Sequence, residues 1–315
     1  MTLVSKVLYL GVGFWDPSYK PALIVLTVSH VALAVVFLLI QRNRFERIRE
    51  YDRFFSSEMF KYALPLIPVS ILMWANTSIP QIVMQKTMDY NSIGIFTSAV
   101  ALANIILIIQ AGFNTFWVPY TYENYKTQTG QFFKVHRYLL CVLTISSLIL
   151  VLSQDVIFLL LGEKYRGAKM FFPFLILGPV CYIIGETTGI GIDISKKTYF
   201  NIVVFGSSVF VNILFCLVLR QPFGVSGIAM AVALAGVIAM CMKTIIGQKY
   251  YRSVNSYRYI YITIILIVAS AFITLYIQHV YWKLTLLLFL FISSIFLYRR
   301  EIMELKGYAM SFIHR

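Results

Sequence analysis

Charged residues are scarce in this chain of 315 residues, and acidic residues are the scarcest of them. Asp and Glu number 13, charged residues make up 13% of the chain, and hydrophobic residues make up 59%. Soluble globular domains average about 25% charged residues. The composition therefore excludes an ordinary soluble domain and predicts an integral membrane protein.

Cysteine and histidine are also rare, with four residues of each type. The cysteines lie far apart in apolar runs without a C-x-x-C pair, and the histidines show no H-x-x-x-H spacing. Disulfide frameworks, zinc sites and metallohydrolases depend on such spacings. We therefore expect no metal site, no cofactor and no disulfide framework.

Long extramembrane segments are missing as well. A span needs on the order of 20 apolar residues, and nine windows qualify. They cover residues 22–41, 60–85, 91–118, 138–161, 171–194, 200–219, 225–247, 259–278 and 281–298. The loops between them are too short to hold a catalytic domain, so we expect a chain that is not an enzyme and works within its helix bundle.

Basic residues are the charge that the chain does have, and they are distributed unevenly. Eighteen Lys and Arg residues fall in loops on one side of the predicted membrane and six on the other. Cytoplasmic loops carry the excess of basic residues, so the first side and the C-terminus are predicted to be cytoplasmic. Anionic membrane lipids account for the net charge of +14, and no nucleic-acid partner is expected. The arginine-rich first loop suits a helix lying in the membrane interface, with a solvated linker as the alternative.

Two acidic residues lie inside the apolar stretch PVCYIIGETTGIGIDISKK, residues 179–197. Glu186 and Asp193 are seven residues apart, so a continuous helix would place them on one face. A carboxylate near the bilayer centre costs about 2.5–3.5 kcal/mol, so Glu186 needs a partner, a proton or water. We expect Glu186 either to line a hydrated cavity or to bond between packed helices. Asp193 either shares that cavity or forms a surface ion pair with Lys196 and Lys197.

Amide side chains and prolines mark further candidate segments. Asn104, Gln110 and Asn114 fall within one predicted span, where their amides face either the same cavity or a neighbouring helix. Two spans are predicted to be kinked by the prolines Pro65, Pro68, Pro80, Pro173 and Pro179. Interrupted helices commonly line the substrate path in transporters, and kinks that only improve packing are the alternative.

Four stretches together resemble a known family of membrane proteins. They read KYALPLIPVSILMWANTS, YNSIGIFTSAVALANIILIIQAGFNTFWVPYTYE, LLLGEKYRGAKMFFPFLILGPVCYIIGETTGIGIDISKKT and QPFGVSGIAMAVAL. In order and spacing they resemble the second half of bacterial lipid-linked oligosaccharide (O-antigen or capsule) flippases of the polysaccharide transport family. These flippases are relatives of the multidrug and toxin extruders. The resemblance covers about residues 58–250.

The resemblance implies an all-α polytopic membrane protein that contains the C-terminal six-helix lobe of a MATE-like fold plus two extra C-terminal helices. The implied divisions are 1–41 as a remnant of an N-terminal lobe, 42–58 as a basic cytoplasmic linker, 59–247 as the C-terminal lobe, and 248–315 as two further spans with a basic tail. A missing N-terminal lobe, or a second copy of this chain, would complete a two-lobed transporter.

The function implied by the resemblance is translocation of an undecaprenyl-diphosphate-linked oligosaccharide across the bacterial cytoplasmic membrane, for cell-surface polysaccharide biosynthesis. A cation-coupled multidrug exporter and an inactive truncated half-transporter are the alternatives. Many relatives carry an Asp-Arg pair where this chain has Asn76, Thr77 and Gln81. We therefore expect these three side chains to offer neutral hydrogen bonds on the pathway.

Overall fold

The computed structural model describes residues 19–42, 53–127 and 129–313, and in these ranges every regular element is a helix. The α-helices are α1 (Tyr19–Gln41), α2 (Arg53–Ala63), α3 (Leu66–Thr87), α4 (Tyr90–Ala103), α5 (Leu107–Asn124), α6 (Thr129–Leu161), α7 (Phe172–Thr188), α8 (Ile190–Ile194), α9 (Phe200–Tyr250), α10 (Arg258–Tyr276), α11 (Val280–Leu297) and α12 (Arg299–Ile313). The 3-10 helices Asn104–Ile106 and Glu163–Met170 lie between α4 and α5 and between α6 and α7. The all-α class is confirmed for these residues.

The chain divides into two compact units, Met1–Ser57 and Glu58–Arg315. The described part of the first unit is α1, with a candidate span of mean hydropathy 2.8, and the start of α2. The second unit takes in both the predicted C-terminal lobe and the two further spans. Most of the predicted basic linker and residues 1–18 of the predicted remnant lie outside the described residues.

Seven of the described helices are long and apolar enough to cross a membrane, and an eighth span results if a bent pair is counted as one. The bent pair joins the 3-10 helix Glu163–Met170 to α7 at an angle of 64°. These helices support a multi-pass membrane protein. The expected total of nine spans stays a prediction.

Helix α9 is a hairpin of two arms. Its 51 residues would extend about 76 Å as one straight helix, more than twice the hydrocarbon thickness. The backbone leaves helical geometry at Gly224, where φ is +55°. The Ser208 hydroxyl donates to the Ala235 carbonyl at 2.9 Å, so the two arms lie side by side and antiparallel. They are called arm 1 (residues 200–223) and arm 2 (residues 225–250) below.

Helix α7 lies at the centre of the second unit. It packs against both α9 and α10, and also against α6 and α4. Its sequence, FPFLILGPVCYIIGETT, is apolar on nearly all sides, and most of its residues are buried. A helix that is hydrophobic all round is expected in the interior of a bundle. The predicted span 171–194, which contains Pro173 and Pro179, is therefore the one that other helices surround.

Glycines bring α7, α8 and arm 2 into close contact. A Cβ atom on Gly191 would lie 2.0 Å from the Gly247 carbonyl oxygen, and one on Gly247 would lie 2.5 Å from the Gly189 Cα. No side chain fits at such separations. The glycines of this span therefore serve helix packing, and Gly189 also ends α7 before the short helix α8.

Two polar clusters attach the last helices to α6. Asp155 accepts from Lys169 at 2.7 Å and from Lys283 of α11 at 2.8 Å. At the opposite end of α6, Arg137 pairs with Glu301 and the Tyr138 hydroxyl donates to Glu304 at 2.5 Å. Helix α6 therefore contacts α11 through Asp155, and α12 through Arg137 and Tyr138.

Candidate functional site

A cavity of about 410 Å³ opens within the helix bundle. It is bounded by α3, α4, the start of α5, α7 and both arms of α9. Its polar lining consists of the side chains of Asn76, Thr77, Gln81, Asn104, Gln110 and Tyr182. Among the described residues that line it, Tyr182 is the one with an ionisable side chain. The cavity therefore offers amides, hydroxyls and apolar surface, which suit a hydrogen-bonding neutral group better than a bare charge.

The structure brings together five of the eight predicted site residues. Asn76, Thr77 and Gln81 come from α3, Asn104 from the 3-10 break, and Gln110 from α5. The other three, Glu186, Asp193 and Asn114, do not belong to the lining. The Asn114 amide oxygen is buried and finds no hydrogen-bond partner among the described residues.

Pro80 explains how Asn76 is held at the cavity. A proline inside a helix leaves the carbonyl four residues earlier without its usual donor, and for Pro80 that carbonyl belongs to Asn76. The Asn212 side chain of arm 1 supplies the missing donor, at 2.8 Å from the Asn76 carbonyl and 2.7 Å from its amide oxygen. Pro80 and Pro179 both line the cavity. Asn212 was missed by sequence reasoning, although an Asn inside the predicted span 200–219 was a signal for it.

The break between α4 and α5 also faces the cavity. Residues Asn104–Ile106 form one 3-10 turn inside the predicted span 91–118. Asn104 occupies the break and lines the cavity. One turn into α5, Gln110 lies within hydrogen-bonding reach of the Tyr182 hydroxyl. The turn itself contains neither proline nor glycine, so its position was not predictable from the sequence.

Glu186 has a partner, which answers why an apolar helix keeps a carboxylate. The Lys243 ammonium lies 3.0 Å from the Glu186 carboxylate, with the two side chains 12% and 19% exposed. Glu186 is one turn beyond Tyr182 along α7, and Lys243 is one turn beyond Ala239 along arm 2; Tyr182 and Ala239 both line the cavity. Glu186 therefore forms an ion pair between α7 and arm 2, next to the residues that line the cavity.

The lysine reaches Glu186 through a groove made by two glycines. A Cβ on Gly189 would lie 2.4 Å from Lys243 Cγ, and one on Gly185 would lie 3.3 Å from Lys243 Cδ. Any larger side chain at Gly189 would displace the lysine stem. The Lys243 ammonium also lies 5.9 Å from the centre of the Tyr182 ring, so the ion pair remains in contact with a cavity residue.

Asp193 belongs to the same group of charges. It lies on α8, and the charges of Lys243 and Glu186 both act on it. Lys197, one of its two predicted partners, lies over the Tyr250 ring at 4.3 Å. The ion pair of Glu186 with Lys243, together with Asp193, is called the edge triad below. Lys243 was missed because it falls at the end of a predicted span and was counted as a loop charge.

A polar network surrounds the end of α7 on its other side. His136 of α6 contacts the Thr187 hydroxyl at 2.8 Å, and Ser253 donates to the Thr187 carbonyl at 2.7 Å. Gln248 of arm 2 donates to the Thr188 carbonyl at 2.6 Å. Because α7 ends here, these carbonyls have no full set of helical donors, and side chains supply them. His136 is thus a packing residue in the described part of the chain.

Comparison with known proteins returns no match to a protein family, to a curated protein or to a solved structure. In the described ranges, no group of three or more His, Cys, Asp and Glu side chains is arranged to hold a metal ion. The cavity and the edge triad are therefore the two candidate functional features in the described part of the chain.

Proposed function

We propose that this chain is a flippase for an undecaprenyl-diphosphate-linked oligosaccharide in the bacterial cytoplasmic membrane, acting in cell-surface polysaccharide biosynthesis. The observation that carries the proposal is the amide-lined cavity inside a multi-helix apolar bundle. Sugars present many hydroxyl groups, and the side chains of Asn76, Gln81, Asn104 and Gln110 can donate to and accept from such groups. Amides that line a cavity inside an apolar bundle need hydrogen-bond partners, and the hydroxyl groups of a glycan supply them.

The substrate's two halves match two surfaces of the lobe. The glycan would occupy the polar cavity, and the polyprenyl chain would remain along the apolar outer helix faces, where α3 exposes Ile67, Ile71 and Trp74. Alternating exposure of the cavity to the two membrane faces follows the general scheme for transporters with sites near the bilayer midplane. The family resemblance of residues 58–250 supports the same substrate class.

A cation-coupled multidrug exporter remains the second candidate because of two observations. Phe96 and Phe205 line the cavity and would stack on a planar apolar ligand. The Glu186 carboxylate lies one turn beyond Tyr182 and would serve as a cation or proton site. An inactive half-transporter is the third candidate, since the resemblance covers only the second half of the family.

Direct binding separates these candidates without requiring the chain to transport. The purified protein in lipid nanodiscs is titrated with farnesyl-diphospho-N-acetylglucosamine and with ethidium, a planar cationic drug. We expect saturable binding of the glycolipid and a drop in affinity of about 2- to 12-fold for Gln81→Leu or Gln110→Leu, the range of one lost hydrogen bond. Thr285→Val, at an exposed position of α11, is the matched control. Tighter binding of ethidium that displaces the glycolipid would favour the exporter.

Transport is measured separately, in proteoliposomes that carry a fluorescent lipid-linked oligosaccharide. The chain is tested alone and together with any N-terminal lobe encoded upstream. Binding with transport only in the longer protein would identify the 315-residue chain as one half of the flippase. Absence of glycolipid binding in both forms would refute the proposal.

A further inference from the structure

Basic residues gather at one end of α6, on the side of the membrane that is predicted to be outside. Of the six Lys and Arg residues predicted on that side, four lie on the 3-10 helix Glu163–Met170 or on the first turn of α11. They are Lys164, Arg166, Lys169 and Lys283. Loops on the outer side of a membrane are usually poor in such residues. Their concentration at one place therefore runs against the general charge bias of membrane proteins.

One carboxylate holds two of these cations. The Asp155 Oδ1 atom lies 2.7 Å from the Lys169 ammonium, and its Oδ2 atom lies 2.8 Å from the Lys283 ammonium. Because Asp155 offsets only one of them, these three side chains keep a charge of +1, and they are called the outer basic group below. The Lys283 side chain is 10% exposed, and a cation with so little solvent is costly unless an anion compensates it. It also lies in the first turn of α11, where the helix dipole favours anions.

The neighbouring charges do not supply a second anion. Glu163 is the acidic residue of the 3-10 helix, and it pairs with Arg166 at 3.0 Å. Lys164 is exposed and forms no ion pair with any described residue. Each ammonium of the outer basic group has three N–H donors, and Asp155 takes one from each. This end of α6 therefore has both the charge and the donors for one more anion.

Aromatic side chains place this end of the bundle at the level of the lipid headgroups. Tyr276 ends α10, Tyr281 and Trp282 lie at the start of α11, and the three side chains are between 66% and 86% exposed. Trp and Tyr concentrate at the interface between hydrocarbon and water. Further along α11 the exposed residues Phe289 and Ile292 are apolar, as at a surface that faces acyl chains. At this depth the anion within reach of the ammonium groups is the phosphate of a lipid.

We propose that the outer basic group binds the phosphate of an anionic phospholipid from the adjoining leaflet. The Lys169 and Lys283 ammonium groups donate to the phosphate oxygens. The acyl chains lie along the apolar faces that α6 and α11 expose, beside Ile149 and Phe289. The described lining of the central cavity does not include this group. The site requires only that the chain spans a membrane, so it is independent of the flippase proposal.

The test reads lipid binding at Trp282, the residue before Lys283. The full chain is reconstituted in phosphatidylcholine vesicles that contain increasing amounts of phosphatidylglycerol with brominated acyl chains, which quench tryptophan fluorescence on contact. The part of the quenching that Trp282→Phe abolishes reports the lipid at the outer basic group. We expect phosphatidylglycerol to bind there about fivefold or more tightly than phosphatidylcholine, since a cation near the membrane surface contributes about 1 kcal/mol.

Variants assign the preference to the outer basic group. Lys169→Met should lower the relative binding constant about fivefold, because one cation beside the headgroup is lost. Asp155→Asn should raise it by a similar factor, because both ammonium groups then face the phosphate without a competing carboxylate. Poor folding cannot produce a gain in binding, so this variant decides the question if Lys169→Met inserts poorly. Lys86→Met is the matched control, since it removes a cation from the last turn of α3 on the same predicted side and should change nothing.

Three outcomes would overturn the proposal. Equal binding constants for the two lipids in the unmodified chain would show that the outer basic group selects no headgroup. An equal loss of preference in Lys86→Met and Lys169→Met would show an effect of net charge and no site. Inorganic phosphate at constant ionic strength should leave the quenching unchanged, and displacement of the lipid at millimolar phosphate would show a site for the free ion.

Discussion

Replacing Gly247 by alanine should separate α7 from arm 2 and disturb the edge triad. A Cβ on Gly247 would lie 2.5 Å from the Gly189 Cα and 2.7 Å from the Thr188 carbonyl oxygen. Carbon atoms pack best at about 3.5–4.0 Å, so the two helices must move apart by about 1 Å. Overpacking of this kind costs about 1–3 kcal/mol. Lys243 is one turn away on the same helix, so the separation also lengthens its contact with Glu186.

Gly206→Ala is the matched control for this prediction. Gly206 lies on arm 1 of the same helix, and a Cβ there would meet no described atom within 4 Å. Alanine favours a helix over glycine by up to about 1 kcal/mol, and this gain is common to both variants. In thermal or denaturant unfolding in nanodiscs, Gly247→Ala should be less stable than Gly206→Ala by about 1–3 kcal/mol. Equal stability would refute the close approach of the helices.

Three further predictions concern the membrane orientation, the ion pairs of Asp155 and the effect of pH on α12. In a cysteine-free background, a cysteine at Thr129 should label only from the cytoplasmic side and one at Lys86 only from outside; the reverse pattern would overturn the orientation. Asp155→Asn should lower the free energy of unfolding by about 1 kcal/mol. The value is small because the carboxylate is about a third exposed. Unchanged stability would show that the ion pairs of Asp155 do not stabilise the fold. Hydrogen bonds from Tyr138 and Arg300 hold the pKa of Glu304 below its usual 4.5, so its contribution is present above pH 4.5 and lost as the pH falls through the lower folded value. Proteolysis of α12 should therefore accelerate only in acid, and acceleration near pH 6 would contradict this.

The cavity residues were largely predictable because an amide in an apolar span has few alternatives. Asn104 and Gln110 were predicted as site residues because they are amides within an apolar span. Asn76, Thr77 and Gln81 were predicted from the family resemblance. Asn114 lies on the same span but outside the cavity lining, and its buried amide oxygen has no hydrogen-bond partner among the described residues. Polarity predicts that a side chain needs a partner, and it does not predict on which side of the helix the partner lies.

The edge triad was not predictable for a different reason. Glu186 and Lys243 are 57 residues apart, and their pairing depends on how α7 packs against arm 2. That packing depends in turn on glycines that let the two helices approach closely. A glycine in a membrane helix can signal a break or a close approach, and only the neighbouring helix decides between them. At Gly189 both occur, because α7 ends there and Lys243 crosses it.

The separation between the cavity and the edge triad is itself an argument about function. A carboxylate inside the cavity would repel a diphosphate and would compete with glycan hydroxyls for the amide donors of Asn104 and Gln110. Placing Glu186 one turn beyond Tyr182 keeps the lining neutral while leaving a cation within reach. A drug exporter that selects cations gains nothing from Lys243, since the ammonium repels its ligand and occupies the carboxylate that would bind it. For the proposed flippase, the ion pair with Lys243 keeps the Glu186 carboxylate occupied beside a neutral cavity lining.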